Sequence, residues 1–226
     1  FKEALRFWID LKELNILFYA DSVMNISTSQ IFQKIAKMKI PRLKVSLSVR
    51  SLRNVDIIAT WFENYHFLRT FALDLSFEGY TDELMKKLST NFKQMIDLKE
   101  FTLRLRTQYS GTTFRLSSIL SELGNLRKLE TFILEGQDCI PSKRDIITLT
   151  NIVRKNRNLR HFELVTDIFE GSDYPSENSV AKFFEALPPH LNYLGITHLP
   201  DISKEDLPSV LGSIKRLGNL ENLNLG

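Results

Sequence analysis

The sequence predicts an α/β protein in which parallel strands alternate with helices along one open stack, and three observations predict it. A six-residue phrase with apolar residues at its first, fourth and sixth positions occurs eight times, at intervals of 28 to 32 residues. A second apolar pattern, at helical spacing, lies between successive phrases. Within each phrase the positions that alternate with the apolar ones are mostly polar.

In chain order the phrases are Leu11-Leu14-Ile16, Ile40-Leu43-Val45, Leu68-Phe71-Leu73, Leu98-Phe101-Leu103, Leu129-Phe132-Leu134, Leu159-Phe162-Leu164, Leu191-Leu194-Ile196 and Leu220-Leu223-Leu225. All 24 of these positions are apolar in a chain that is 43% hydrophobic. Chance agreement is roughly 10⁻⁹, so repetition is the first hypothesis. Apolar residues two apart fall on one side of an extended segment, which makes each phrase a strand with one buried face.

The intervening segments place apolar residues three and four apart, the spacing of a one-sided helix. They are Ile31, Ile35 and Met38; Ile57, Ile58, Trp61, Phe62 and Tyr65; Leu84, Leu88 and Phe92; and Leu116, Ile119, Leu120 and Leu123. Later units continue with Ile146, Leu149, Ile152 and Val153, then Val180, Phe183, Phe184 and Leu187, then Leu207, Val210, Leu211, Ile214 and Leu217. Ser142 before Asp145 and Ser203 before Asp206 are placed to cap first turns.

Repeated strand–helix units can close into a barrel or stack as an open solenoid. A barrel buries both faces of its strands, which then read as continuous apolar runs. Here the alternate positions hold residues such as Lys12, Glu13 and Asn15, or Arg160, His161 and Glu163. One face of the sheet therefore meets water, and helices cover the other.

From Leu11 to Leu225 the chain resembles leucine-rich repeat proteins, of the longer, helix-containing kind similar to ribonuclease inhibitor. The resemblance implies a horseshoe solenoid of about eight repeats, with a parallel sheet on the concave face, helices on the convex face, and function through protein binding. One departure is clear. Where the family usually carries Asn or Cys, three residues after the third apolar position, this chain has Tyr19, Ser48, Ser76, Arg106, Gln137, Asp167 and Leu199. The ladder of side-chain hydrogen bonds leaving each strand is therefore missing or improvised.

Residues 1–226 read as a single solenoid domain, because such a fold grows by adding units. Its terminal units lack polar caps: Phe1, Leu5, Phe7 and Trp8 precede the first strand, and Gly226 follows the last leucine directly. This predicts a portion of a longer protein, or ends covered by neighbours. A single cysteine, Cys139, excludes an internal disulfide framework and favours an intracellular compartment, cytoplasmic or nuclear. No apolar run reaches the roughly 20 residues needed to span a membrane.

Function is expected on the exposed strand face. Eight strands at ~4.8 Å spacing give a surface about 34 Å long, enough for a standard protein interface. Lateral charges, Glu13 beside Arg42 and Asp74, Arg104 and Glu135 in succession, read first as pairs that hold register. The fifth to seventh units differ, placing Ile133, His161, Val165 and Tyr193 outward where other units carry charge. Adjacent turn-rich loops contain Tyr109 and Tyr174. The expected partner-binding residues are Ile133, His161, Val165, Tyr193, Tyr109, Tyr174, Arg104 and Glu135.

Nucleic acid is a weaker reading of the same face. The net charge is +3, but Glu13, Asp74, Glu100, Glu135 and Glu163 interrupt Arg42, Lys44, Arg69, Lys99 and Arg104. Catalysis is not expected: His66, His161, His190 and His198 lack metal-ligand spacing, and no phosphate loop or nucleophile elbow is present. No cofactor is expected. The reading is thus a non-enzymatic interaction module, a scaffold or structural subunit of a larger assembly. Its alternative is the recognition module of a regulatory protein, such as the substrate receptor of a ubiquitin-ligase-type enzyme.

Overall fold

Each of the eight phrases forms, or leads into, a strand. The computed structural model describes residues 11–20, 26–49, 62–77, 82–107, 116–136, 143–166, 177–197 and 202–226. In chain order the elements are β1 (Glu13–Ala20), α1 (Ile26–Lys37), β2 (Arg42–Val49), β3 (Thr70–Phe77), α2 (Asp82–Phe92), β4 (Glu100–Thr107) and α3 (Ser117–Leu123). There follow β5 (Thr131–Gly136), α4 (Lys143–Lys155), β6 (His161–Thr166), α5 (Glu177–Ala186), β7 (Tyr193–Ile196), α6 (Leu207–Lys215) and β8 (Asn222–Leu225).

The strands form one parallel sheet whose spatial order is the chain order, β1 to β8. In that order β1 and β8 are edges, so the sheet is open and not closed into a barrel. Its two faces differ as the alternation predicts: along β5 and β6 successive residues switch between half-buried and buried. The buried side packs on the helices in a single core.

At the fourth phrase position, the core contains a run of phenylalanines. Phe71, Phe101, Phe132 and Phe162 are fully buried and stack in sequence, with ring centroids 6.4, 5.9 and 5.4 Å apart. Parallel pairing forces this, because register partners one strand apart point the same way at about the strand spacing. In β1, β2, β7 and β8 leucine replaces phenylalanine at this position, and Leu223 of edge strand β8 is exposed.

Helix faces follow the expected stripes with two differences. In α1 the core residues are Phe32 and Ile35, while Ile31 and Met38 are half-buried. The larger Phe32 takes the deep site, edge-on to Phe62 at 5.9 Å. In α6 Val210 is buried, but Leu207 and Leu211 are exposed. The expected helix around Ile57, Ile58 and Trp61 lies outside the described residues, whereas Phe62 and Tyr65 are buried. Ser203 Oγ accepts the Asp206 amide at 3.0 Å in the turn ahead of α6, whose N-cap is Asp206 and carries no side-chain cap bond; Ser142 lies outside the described residues.

Two backbone devices join the units. The carbonyls of Pro41, Arg69, Lys99, Glu130, Arg160 and Asn192 each accept two amides of the next unit, at 2.7 to 3.1 Å. Both lone pairs of a carbonyl are thereby used where each of β3 to β8 begins. In addition, the residue three before each of the last six phrases is buried: Tyr65, Met95, Leu126, Asn156, Pro188 and Leu217. Five of these carbonyls accept the amide of their own phrase's first residue, at Leu68, Leu98, Leu159, Leu191 and Leu220.

The exception is Leu129. Its amide donates at 2.9 Å to Oδ1 of Asn156, whose Nδ2 donates to the carbonyls of Leu126 and Ile152. The Asn156 side chain thus sits between Leu126 and Leu129, in a turn the other units close directly. Completely buried and bonded through both ends of its amide, it meets the condition for a polar group in a core.

Candidate functional site

The open face presents alternate residues of each strand, and parallel pairing lines them up into columns. Glu13 lies beside Arg42, Asp74 beside Arg104, and Arg104 beside Glu135, as the phrase alignment predicts. The ion pairs only partly follow this adjacency. Arg104 Nε does meet Glu135 Oε1 at 2.7 Å. Glu13, however, pairs with Lys44 at 3.2 Å and not with Arg42, and Asp74 is 3.6 Å from Arg106. Lys44 and Arg106 stand two residues further along the neighbouring strand, on the same face, and a long side chain spans that diagonal. The Lys44 ammonium, by hydrogen bond and charge, holds the Glu13 carboxyl below its ordinary range.

Ion pairs also line the edge where the strands begin. Lys99 reaches Glu130 at 2.5 Å, and Lys128 bonds Asp97, whose carboxyl it holds low. At this edge a shallow polar cavity of about 350 Å³ is lined by Glu130, Asn158, Arg160 and His190. Most of these pairs join residues 31 positions apart, about one repeat. They are contacts between equivalent places in adjacent units.

On β5 to β7 the surface changes character. His161 and Tyr193 are register neighbours, and their rings lie parallel, 4.2 Å apart and 2° from coplanar in orientation. Glu163 stands two residues along from His161. Its Oε1 receives the Tyr193 hydroxyl at 3.4 Å, and its Oε2 lies 3.5 Å from His161 Nε2. Burial first, and then the Glu163 charge, push the Tyr193 hydroxyl above its ordinary pKa.

Gly195 makes this arrangement possible. A Cβ there would come within 2.9 Å of Tyr193 Cε1 and 3.3 Å of Glu163 Cγ. Real carbon contacts do not reach the first distance, so only glycine leaves the tyrosine ring free to lie along its strand toward Glu163. Ile133 is the register partner of Glu163, and Val165 that of Glu135. Both are half-buried and flank the carboxylate.

The structure thus gathers Ile133, His161, Val165, Tyr193, Arg104 and Glu135 on adjacent strands of one face. Tyr109 and Tyr174, with Cys139, lie outside the described residues. Glu163 and Gly195 belong to the group although neither was among the expected binding residues. A signal was present for both, since each occupies the outward position after His161 or Tyr193 in its own phrase.

Among the described residues, no group of three or more His, Cys, Asp or Glu side chains is placed to hold a metal ion. No helix among them is long and apolar enough to cross a membrane. The chain matches no protein-family model and no curated protein sequence.

Proposed function

We propose that this chain is a non-enzymatic protein-binding module of the leucine-rich repeat kind, a horseshoe solenoid acting as a scaffold or structural subunit. It binds its partner through the open face of β4 to β7. The observation that carries this reading is the group Ile133, His161, Val165 and Tyr193, set outward on adjacent strands of an open sheet. Aromatic and β-branched side chains in the middle of a surface are the usual anchors of an interface. They are held here by pairing and stacking, so ordering them on binding costs little entropy.

The ion pairs favour protein over nucleic acid as the ligand. Lys44, Lys99 and Arg104 are each committed to a carboxylate of a neighbouring unit. Phosphate binding would have to displace those partners.

Affinity capture with the intact protein, compared with the double variant Ile133→Asp plus Tyr193→Asp, tests the reading. Loss of the bound partner is expected, since truncating interface anchors commonly costs ~2 kcal/mol or more, roughly thirtyfold in affinity. Survival of every partner through the double change would place the binding surface elsewhere.

A further inference from the structure

Carboxylates stand on both halves of the open face, but its cations stand on one. Outward positions of β2 to β4 carry Arg42, Lys44, Arg104 and Arg106. Those of β5 to β8 carry no lysine or arginine among the described residues, and two carboxylates, Glu135 and Glu163. Glu135 is neutralised by Arg104. Glu163 meets no lysine or arginine: it accepts one long hydrogen bond from the Tyr193 hydroxyl at 3.4 Å, and His161 Nε2, 3.5 Å away, makes no hydrogen bond to it.

An ionised carboxylate accepts about four hydrogen bonds, and charge-assisted donors satisfy it best. Glu163 is partly withdrawn from water, with its side chain 23% exposed, so hydration compensates only in part. Beside it stand Ile133 and Val165, two branched apolar groups, and the His161–Tyr193 stack forms a wall. A complementary ligand carries positive charge at the end of an apolar stem. Lysine and arginine side chains have that construction.

From this complementarity we infer that the face of β5 to β7 receives a segment of a partner protein that presents an arginine or lysine among apolar side chains. The cation meets Glu163, and its stem packs on Ile133 and Val165. This rests on the open face being the binding surface, and it adds the chemistry of the occupant. Arg104 borders the site but stays paired with Glu135, leaving Glu163 as the carboxylate to be neutralised. A partner with an acidic segment would instead place like charge against Glu163, which disfavours it.

The test is selection of a random-peptide phage library on the intact protein, followed by binding of the leading synthetic peptide to wild type and to Glu163→Gln. Circular dichroism confirms that each variant is folded. Enrichment of arginine or lysine beside apolar residues is expected, with binding to Glu163→Gln weakened roughly tenfold. Replacing the peptide's basic residue by methionine should then erase the difference between the two proteins, and added salt should weaken only the charged peptide.

Peptides lacking a basic residue, peptides that bind Glu163→Gln as well as wild type, or a library that yields no binder would each overturn the inference. The Ile133→Asp plus Tyr193→Asp variant separates this failure from that of the broader reading. A peptide indifferent to Glu163→Gln but lost on the double variant leaves the face as the binding surface and refutes its preference for a cation. A peptide indifferent to both refutes the face itself.

Discussion

The open surfaces over β1 to β4 and over β5 to β7 share one backbone pattern and differ in how their side chains are satisfied. Over the first, long charged residues reach diagonally to the next strand, as Lys44 does to Glu13 and Arg106 to Asp74. Over the second, stacking and branched side chains take most outward positions, Glu135 pairs back to Arg104, and Glu163 accepts only one long hydrogen bond. A surface that answers its own charges has little to offer a ligand. One that leaves a carboxylate incompletely answered has free energy in reserve for binding.

A related contrast runs beneath the sheet, at the buried position three residues before each of the last six phrases. In the first half Tyr65 uses its hydroxyl to donate to the Phe32 carbonyl at 2.8 Å, reaching back to α1. In the second half Asn156 enters the turn of the preceding unit and takes over its closing hydrogen bond. Both tie a unit to the one before it through a polar group inside the core.

The largest effect that would sharpen this contrast is expected from Asn156→Leu. Leucine fits the shape, since Leu126 fills the equivalent position, but the Leu129 amide and Leu126 carbonyl lose their buried partner. A loss of about 2–3 kcal/mol in urea unfolding is expected. A loss below ~0.5 kcal/mol would mean that the turn closes on itself like the others and that the two halves are equivalent there.

Tyr65→Phe should cost less, about 1 kcal/mol near neutral pH, for one buried hydrogen bond. Its signature is alkaline. Burial raises the Tyr65 hydroxyl above its ordinary pKa of 10.0, so the folded state resists an ionisation that the unfolded chain undergoes. The stability this represents is complete below about pH 10 and is lost as the pH rises above it. The phenylalanine variant should lack that part of the alkaline loss, and urea midpoints across this range measure it.

On the open face, Gly195→Ala should shift stability by less than about 1 kcal/mol, because the tyrosine ring can swing away. The stack should nevertheless be lost, moving the ring-current shifts of the His161 protons in an NMR spectrum. Unchanged shifts would show that glycine is not what orders this half. Arg104→Met, at the boundary between the halves, is expected to change stability least, ~0.5 kcal/mol, because its pair with Glu135 is partly solvated. Double-mutant cycles with Glu135→Gln check it.

Much of this architecture is legible in the sequence because burial writes a period. The phrase fixes strand register so well that neighbours such as His161 and Tyr193 follow from counting. What lies between the two periodicities is hidden. The buried series Met95, Leu126, Asn156, Pro188 falls in turns, where neither a spacing of two nor one of 3.6 applies, and its polar member obscures it further. Apolar identity also overstates burial at an edge, as exposed Leu223 and Leu225 show. At the candidate site, His161 and Tyr193 announce themselves by type, whereas Glu163 reads as one more surface charge until its weak partners are seen. Gly195 has no meaning without the ring that lies over it.

The paired acceptance of amides by single carbonyls bears on how such a chain can change over generations. The six residues that supply those carbonyls are a proline, two arginines, a lysine, a glutamate and an asparagine. The bonds use only main-chain atoms, so the contact is indifferent to what the side chain is, even to the loss of an amide at Pro41. The rim of the molecule is therefore open to rewriting by selection, one residue at a time, while the joints between its units stay closed.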